Sequence, residues 1–192
     1  MKTTVATPDV LDRRVQRTRD ALRQAMMTLM IENGWDGIDV QTLCERANIG
    51  RSTFYQHYNN KEELLKANFA NLRDALLAGA QTADRQAGKL GFASGLITHV
   101  YEAQDVFRAL LGRRSGNYVQ DRFRELLVEL VQAELPATSE PLWQCEAKAH
   151  YLGGALFEVL AWWLGRSRSQ TPQEIEALFD EYSRSVLTKI QL

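Results

Sequence analysis

Between Arg51 and Tyr58 the chain runs Arg-Ser-Thr-Phe-Tyr-Gln-His-Tyr. Wound as a helix at about 100° per residue, Phe54 and Tyr58 share one face. Ser52, Thr53 and Gln56 fall on the opposite face, and Tyr55 and His57 flank it. Hydroxyls and an amide in the middle of a face match the donors and acceptors of base edges in duplex DNA. Longer polar groups at the two rims match phosphates. Arg51 heads the segment and is long enough to reach a guanine edge. Lys61 stands at the first turn of a following helix, where backbone N–H groups and a positive dipole end favour a phosphate. Upstream, Arg13, Arg14, Arg17, Arg19 and Arg23 face a single acid, Asp20. Such a cluster suits a phosphate-facing arm, and equally a solvated helix start. The same wheel also fits a polar surface turn, with the three aromatics in a core and His57 in solvent.

Other chemistry finds little support. There is no Ser-His-Asp arrangement, no HExxH, no phosphate-cradling glycine loop and no cluster of carboxylates with a reason to shift their pKa. An all-helical enzyme is therefore the most distant alternative, and no enzymatic activity is expected. Cys44 and Cys145 form no CxxC pair and read as small apolar side chains. His99, His150 and Cys145 lack metal-ligand spacing, so neither a metal nor a cofactor is expected.

The elements that must hold these residues are helices. Strand-length alternation is nearly absent, prolines number four, and apolar residues recur at helical spacing. The fold expected is all-α, with about nine helices. Leu22, Ala25, Met26 and Leu29 stripe the first helix, which stops at Gly34. Trp35 and Ile38 cover the turn, and Asp39 caps a second helix, Val40 to Ala47. Ile49-Gly50 turns into a third, Arg51 to Tyr58. Asn60 with Glu63 approximates a capping box for a fourth, reaching about Leu77. Gly79 to Gly95 reads as a loop and the slow start of a helix ending near Tyr101. Ala103 to Leu111 follows, broken by Gly112 to Gly116. A long helix carrying Val119, Phe123, Leu126, Leu127, Leu130 and Val131 ends before Pro136, and Pro136 to Pro141 is a loop. Leu142 to Leu164 is a long, unusually apolar helix closed by Gly165. Thr171, Pro172 and Glu174 open the last one.

Three short helices before a long one make a helix-turn-helix, whose second helix enters the major groove. The domains expected are 13–60 for this module and 61–192 for a second helical domain, with helix 61–78 connecting them. Leu142 to Leu164 is apolar around most of its circumference and needs burial on two sides. Packing it with the final helix against a twofold copy, about 142–165 and 172–190, makes a four-helix bundle. Gly153-Gly154 in its middle marks a close helix approach, room for a ligand, or simply tolerated glycines. Aromatic or polar candidates for lining a pocket are Phe92, His99, Tyr101, Phe107, Tyr118, Trp143, His150, Tyr151 and Trp162; each also fits plain core.

The 192 residues carry a net charge of −1, with 45% hydrophobic and 24% charged residues. That balance is ordinary for a globular protein and excludes a chain basic throughout. No apolar run approaches the roughly 18 residues of a membrane span, and Met1 to Asp12 lacks the apolar core of a signal peptide. The cytoplasm is the expected compartment and no membrane partner is expected.

The stretch Gly34-Trp35-Asp36-Gly37-Ile38-Asp39-Val40, the run Leu43 to Tyr58, and Lys61-Glu62-Glu63-Leu64-Leu65 together resemble the TetR-family DNA-binding domain, over about residues 14 to 68. Asp39 stands where that pattern has Thr, Asn48 where it has Gly, and Gly50 where it often has Ser. The resemblance implies a DNA-binding regulator, with Arg51, Ser52 and Gln56 reading bases and Thr53, Tyr55, His57 and Lys61 touching phosphates. Val40 and Gln41 would meet the backbone or a base. It further implies a homodimer on double-stranded operator DNA, a C-terminal ligand-binding and dimerisation domain, and a repressor released by an unknown small-molecule inducer. Alternatives within the resemblance are an activator, or control by a protein partner.

Overall fold

The computed structural model describes residues 8–82, 88–111, 116–136, 140–165 and 170–188. Among them are nine helices and no strand: α1 (Pro8–Asn33), α2 (Val40–Ala47), α3 (Arg51–Tyr55), α4 (Lys61–Thr82), α5 (Gly91–Glu102), α6 (Gln104–Leu111), α7 (Gly116–Glu134), α8 (Leu142–Leu164) and α9 (Pro172–Thr188). The chain is therefore all-α. No helix among the described residues is long and apolar enough to cross a membrane. The expected break at Gly112, the middle of the loop expected after Pro136, and Met1 to Thr7 lie outside the described residues.

The chain divides into two compact units, Met1–Asn68 and Phe69–Leu192, and the division falls inside α4. In the first unit Leu22, Met26, Leu29 and Met30 of α1 are buried with Leu43, Phe54, Leu64 and Leu65. Burial of that stripe from water is what drives the two short helices and the start of α4 onto α1. Gly34, at φ 70°, ends α1, and its N–H donates to the Met30 carbonyl. Trp35 and Ile38 are buried over the turn that follows. Asp39 caps α2: its carboxylate accepts from the Thr42 N–H at 2.7 Å, and its own N–H donates to Thr42 Oγ1 at 3.2 Å. The bonds that the carboxylate accepts from the Thr42 N–H and the Thr42 hydroxyl hold it below its ordinary pKa.

The second unit has an aromatic core. Phe123 of α7 lies 5.9 Å from Phe69, 5.6 Å from Phe107 and 6.1 Å from Phe157, ring centre to ring centre. Gly153 is the close-approach point of α8 on α7: a β-carbon there would sit 3.0 Å from the Val128 nitrogen, whereas one on Gly154 would meet nothing within 4 Å. Thr171 and Glu174 exchange cap bonds at the start of α9. Buried Asp180 on α9 is paired with Lys89 at 2.9 Å, as a carboxylate out of water must be.

Three expectations need correction. Gly79 lies inside α4 rather than in a loop, while the slow helix start expected before Tyr101 is α5, which holds Gly91 and Gly95. The helices come close there: a β-carbon on Gly91 would be 3.2 Å from Ala80 Cβ, and one on Gly95 3.3 Å from Leu76 Cδ2. Small residues admit that packing, and packing overrides their poor helix propensity. The third helix is shorter than expected, ending at Tyr55. One further α-type bond, from the Tyr58 N–H to the Phe54 carbonyl at 2.9 Å, carries the turn on. At the start of α4, Asn60 caps the Glu63 N–H as expected. The Glu63 carboxylate, however, accepts from Asn59 rather than from Asn60.

Candidate nucleic-acid interface

The turn between α2 and α3 sets the geometry. Asn48 closes α2 in the left-handed region at φ 52°, and its N–H points at the Cys44 and Glu45 carbonyls. Asn takes that conformation more readily than other non-glycine residues, which accounts for the missing glycine. Gly50 then starts α3 with an extended backbone and no side-chain cap.

On α3, Phe54 is fully buried and Tyr58 half-buried, with their rings 6.0 Å apart. Burial pushes the Tyr58 phenol above its ordinary pKa. Arg51, Ser52 and Gln56 are exposed and Thr53 is half-buried. Tyr55 is 56% exposed, its ring edge-on to Phe54 at 5.5 Å. His57 is half-buried beside Tyr58. Two anchoring rings thus hold the small polar groups outward. At the start of α2, Gln41 is exposed and Val40 half-buried. A groove of about 340 Å³ opens between the two helices, walled by Gln41, Cys44 and Glu45 and by Asn48 to Arg51. Cys44 is 4% exposed at its wall, and burial raises its thiol pKa.

Lys61 also has partners within the chain. Its Nζ donates to the Trp35 carbonyl at 3.0 Å and the Ile38 carbonyl at 2.8 Å, and it lies 4.5 Å from the centre of the Trp35 ring. Two of the three ammonium N–H groups go to the α1–α2 turn, beside the negative face of an indole. Nothing in its spacing foretold this, because the partners lie 26 and 23 residues away. Sequence reasoning also missed Glu45. Gln41 Nε2 donates to Glu45 Oε1 at 2.9 Å, and Arg51 Nη2 donates to Gln41 Oε1 at 2.6 Å. In the arginine cluster before them, Arg23 is paired with Asp20 at 3.0 Å, and both are substantially exposed.

The nine pocket candidates separate. Phe92 and Phe107 are buried and Tyr118 is half-buried. His99, Tyr101, Trp143, His150, Tyr151 and Trp162 are exposed. His99 still packs edge-on against Phe107 at 5.6 Å, and that partial desolvation lowers its imidazole pKa. Tyr101 stacks on Trp163 at 6.0 Å. Because α8 is apolar almost all round, its sequence could not tell which side faces its own core. Trp143 at 65% exposed and Tyr151 at 61% show that the chain leaves one side uncovered. Among the described residues no group of three or more His, Cys, Asp or Glu could hold a metal ion.

Residues 22–67 match the family model for bacterial regulatory proteins of the tetR family. An uncharacterized HTH-type transcriptional regulator of Bacillus subtilis, YxbF, is 47% identical over 57 residues, or 29% of this chain. The HTH-type transcriptional regulator TcmR of Streptomyces glaucescens is 27% identical over 106 residues, or 55% of this chain. The aligned stretches span only 15% and 42% of those two relatives. A solved TetR transcriptional regulator from Streptococcus agalactiae 2603V, 28% identical, superposes with a TM-score of 0.65, covering 93% of this chain and 99% of its own.

Proposed function

Because the chain belongs to the TetR family of DNA-binding transcriptional regulators, we propose that it binds double-stranded operator DNA as a homodimer and represses transcription until a small-molecule effector releases it. The observation that carries this is α3. Phe54 and Tyr58 anchor this turn, and Arg51, braced by Gln41, together with Ser52 and Gln56 is exposed to reach base edges. Thr53, Tyr55 and His57 would meet phosphates, joined at the start of α2 by Val40 and Gln41. Lys61 gives two of its three N–H groups to the Trp35 and Ile38 carbonyls and would turn the third to a phosphate.

Two copies joined through α8 and α9 would present two α3 helices to successive major grooves, about 34–36 Å apart. An effector that binds one arrangement better than another shifts the dimer between states that match the grooves and states that do not. Phe92 and Phe107 belong to the apolar interior against which a small aromatic or apolar effector would pack. The cytoplasm, where the operator is, would be its compartment.

The test is selection of bound duplexes from a random pool, followed by gel-shift titration of the winners at moderate salt. A common palindromic sequence is expected. Binding with no sequence preference would overturn the proposal. A reporter driven through the selected site then reads repression directly, and compounds that raise the melting temperature are tested for release of the duplex.

A further inference from the structure

We infer that Glu45 is a positioning residue for base recognition: it fixes the Gln41 amide, which in turn fixes the Arg51 guanidinium over the groove face of α3. The inference rests on the DNA-reading role of α3.

Three exposed side chains form one relay across two helices. Arg51 Nη2 donates to Gln41 Oε1 at 2.6 Å, and Gln41 Nε2 donates to Glu45 Oε1 at 2.9 Å. Gln41 and Glu45 are four apart on α2, so they share a face of that helix. A guanidinium only donates and a carboxylate only accepts. An amide between them has a single orientation that satisfies both, oxygen toward Arg51 and nitrogen toward Glu45. Remove the carboxylate and the amide turns freely; in its other orientation it points N–H groups at N–H groups. Arg51 then loses its anchor and recovers the rotamer freedom that a long side chain gives up when held.

The neighbouring charges do not explain Glu45 otherwise. Arg46 is held in a two-pronged ion pair with Glu32 of α1, at 2.9 and 2.6 Å. Glu45 is therefore left to Gln41. A carboxylate beside a surface that meets phosphates is electrostatically unfavourable, so its contribution must lie in what it orients. Once held, Gln41 still has a second lone pair and a second N–H for the groove, while Arg51 keeps donors for a guanine edge.

The experiment is base preference, measured for wild type, R51A, E45A, E45Q and the R51A/E45A double variant by selection and by titration against single-base variants of the selected duplex. Removing the Glu45 charge alone strengthens binding to every duplex, in E45A and E45Q alike. Positioning has a different signature. E45A should lower discrimination about fivefold, the worth of one such hydrogen bond, at the same base pair where R51A does. E45Q, which keeps an acceptor, should restore most of it. In the R51A background E45A should change discrimination no further. Unchanged discrimination in E45A, equal loss in E45Q, or loss at a different base pair would each overturn the inference, the last by making Glu45 a direct reader. A wild type without sequence preference, or an R51A variant with every preference intact, brings down the recognition role of α3 itself and is seen before Glu45 is compared. Melting curves separate these effects from misfolding, and Glu45 is exposed.

Discussion

Lys61 and Arg51 are both cations near the groove-facing helix, and they have different work. The Lys61 ammonium ties the first turn of α4 to the α1–α2 turn through two carbonyls and the Trp35 ring. Replacing it by methionine keeps the stem and deletes the charge. Lys61→Met is expected to cost about 1.5–3 kcal/mol of stability, the range for hydrogen bonds from a charged donor. It should also weaken binding to all duplexes by a similar factor, because the turn that aims α2 and α3 loosens. Denaturant titration and gel shifts read the two effects; a variant as stable as wild type would show that the clamp is idle. Arg51→Ala should do the opposite: stability unchanged, and about 1–3 kcal/mol lost at one base position.

Helix caps and turns show what sequence can disclose at the scale of an element. Asp39, Thr171 and Glu174 were legible because their partners lie within three residues. The faces of α3 were legible for the same reason, since a wheel needs only the helix itself. The continuation of α4 through Gly79 was not legible, nor was the point at which α5 begins, because helix packing and not local propensity decides there. The Lys61 clamp and the Glu45 relay escaped because each closes on a different element. Two substitutions test this contrast. Asn48→Val places a β-branched residue at φ 52° and is expected to cost about 1–2 kcal/mol, while Asn48→Gly is expected to be tolerated or stabilising. Gly153→Ala forces a β-carbon to 3.0 Å from the Val128 nitrogen, and main chain cannot step aside as a side-chain tip can. A loss of about 1–3 kcal/mol is expected. An unchanged denaturation midpoint would mean that α7 and α8 are not held at this distance.

At the scale of the whole molecule, the exposed rings of the last two helices are the unsettled account of a single chain. Leu142 is 75% exposed, Trp143 65%, Tyr151 61% and Tyr182 64%. Scattered exposed apolar groups are normal, but several large ones on two consecutive helices are what an interface would cover. Burying an aromatic ring removes about 150–250 Å² from water, so a few rings supply much of the drive for association. A charge placed among them has the opposite effect, since its desolvation has no partner to offset it. The paired substitution Trp143→Glu and Tyr182→Glu is therefore expected to convert a dimer to monomers in light scattering. The folding of each chain should survive, because neither ring belongs to the chain's own core. Binding to a palindromic operator should fall far more than binding to a half-site, since only the dimer holds two α3 helices at once. If the doubly substituted protein remains dimeric at micromolar concentration, the association surface lies elsewhere than α8 and α9.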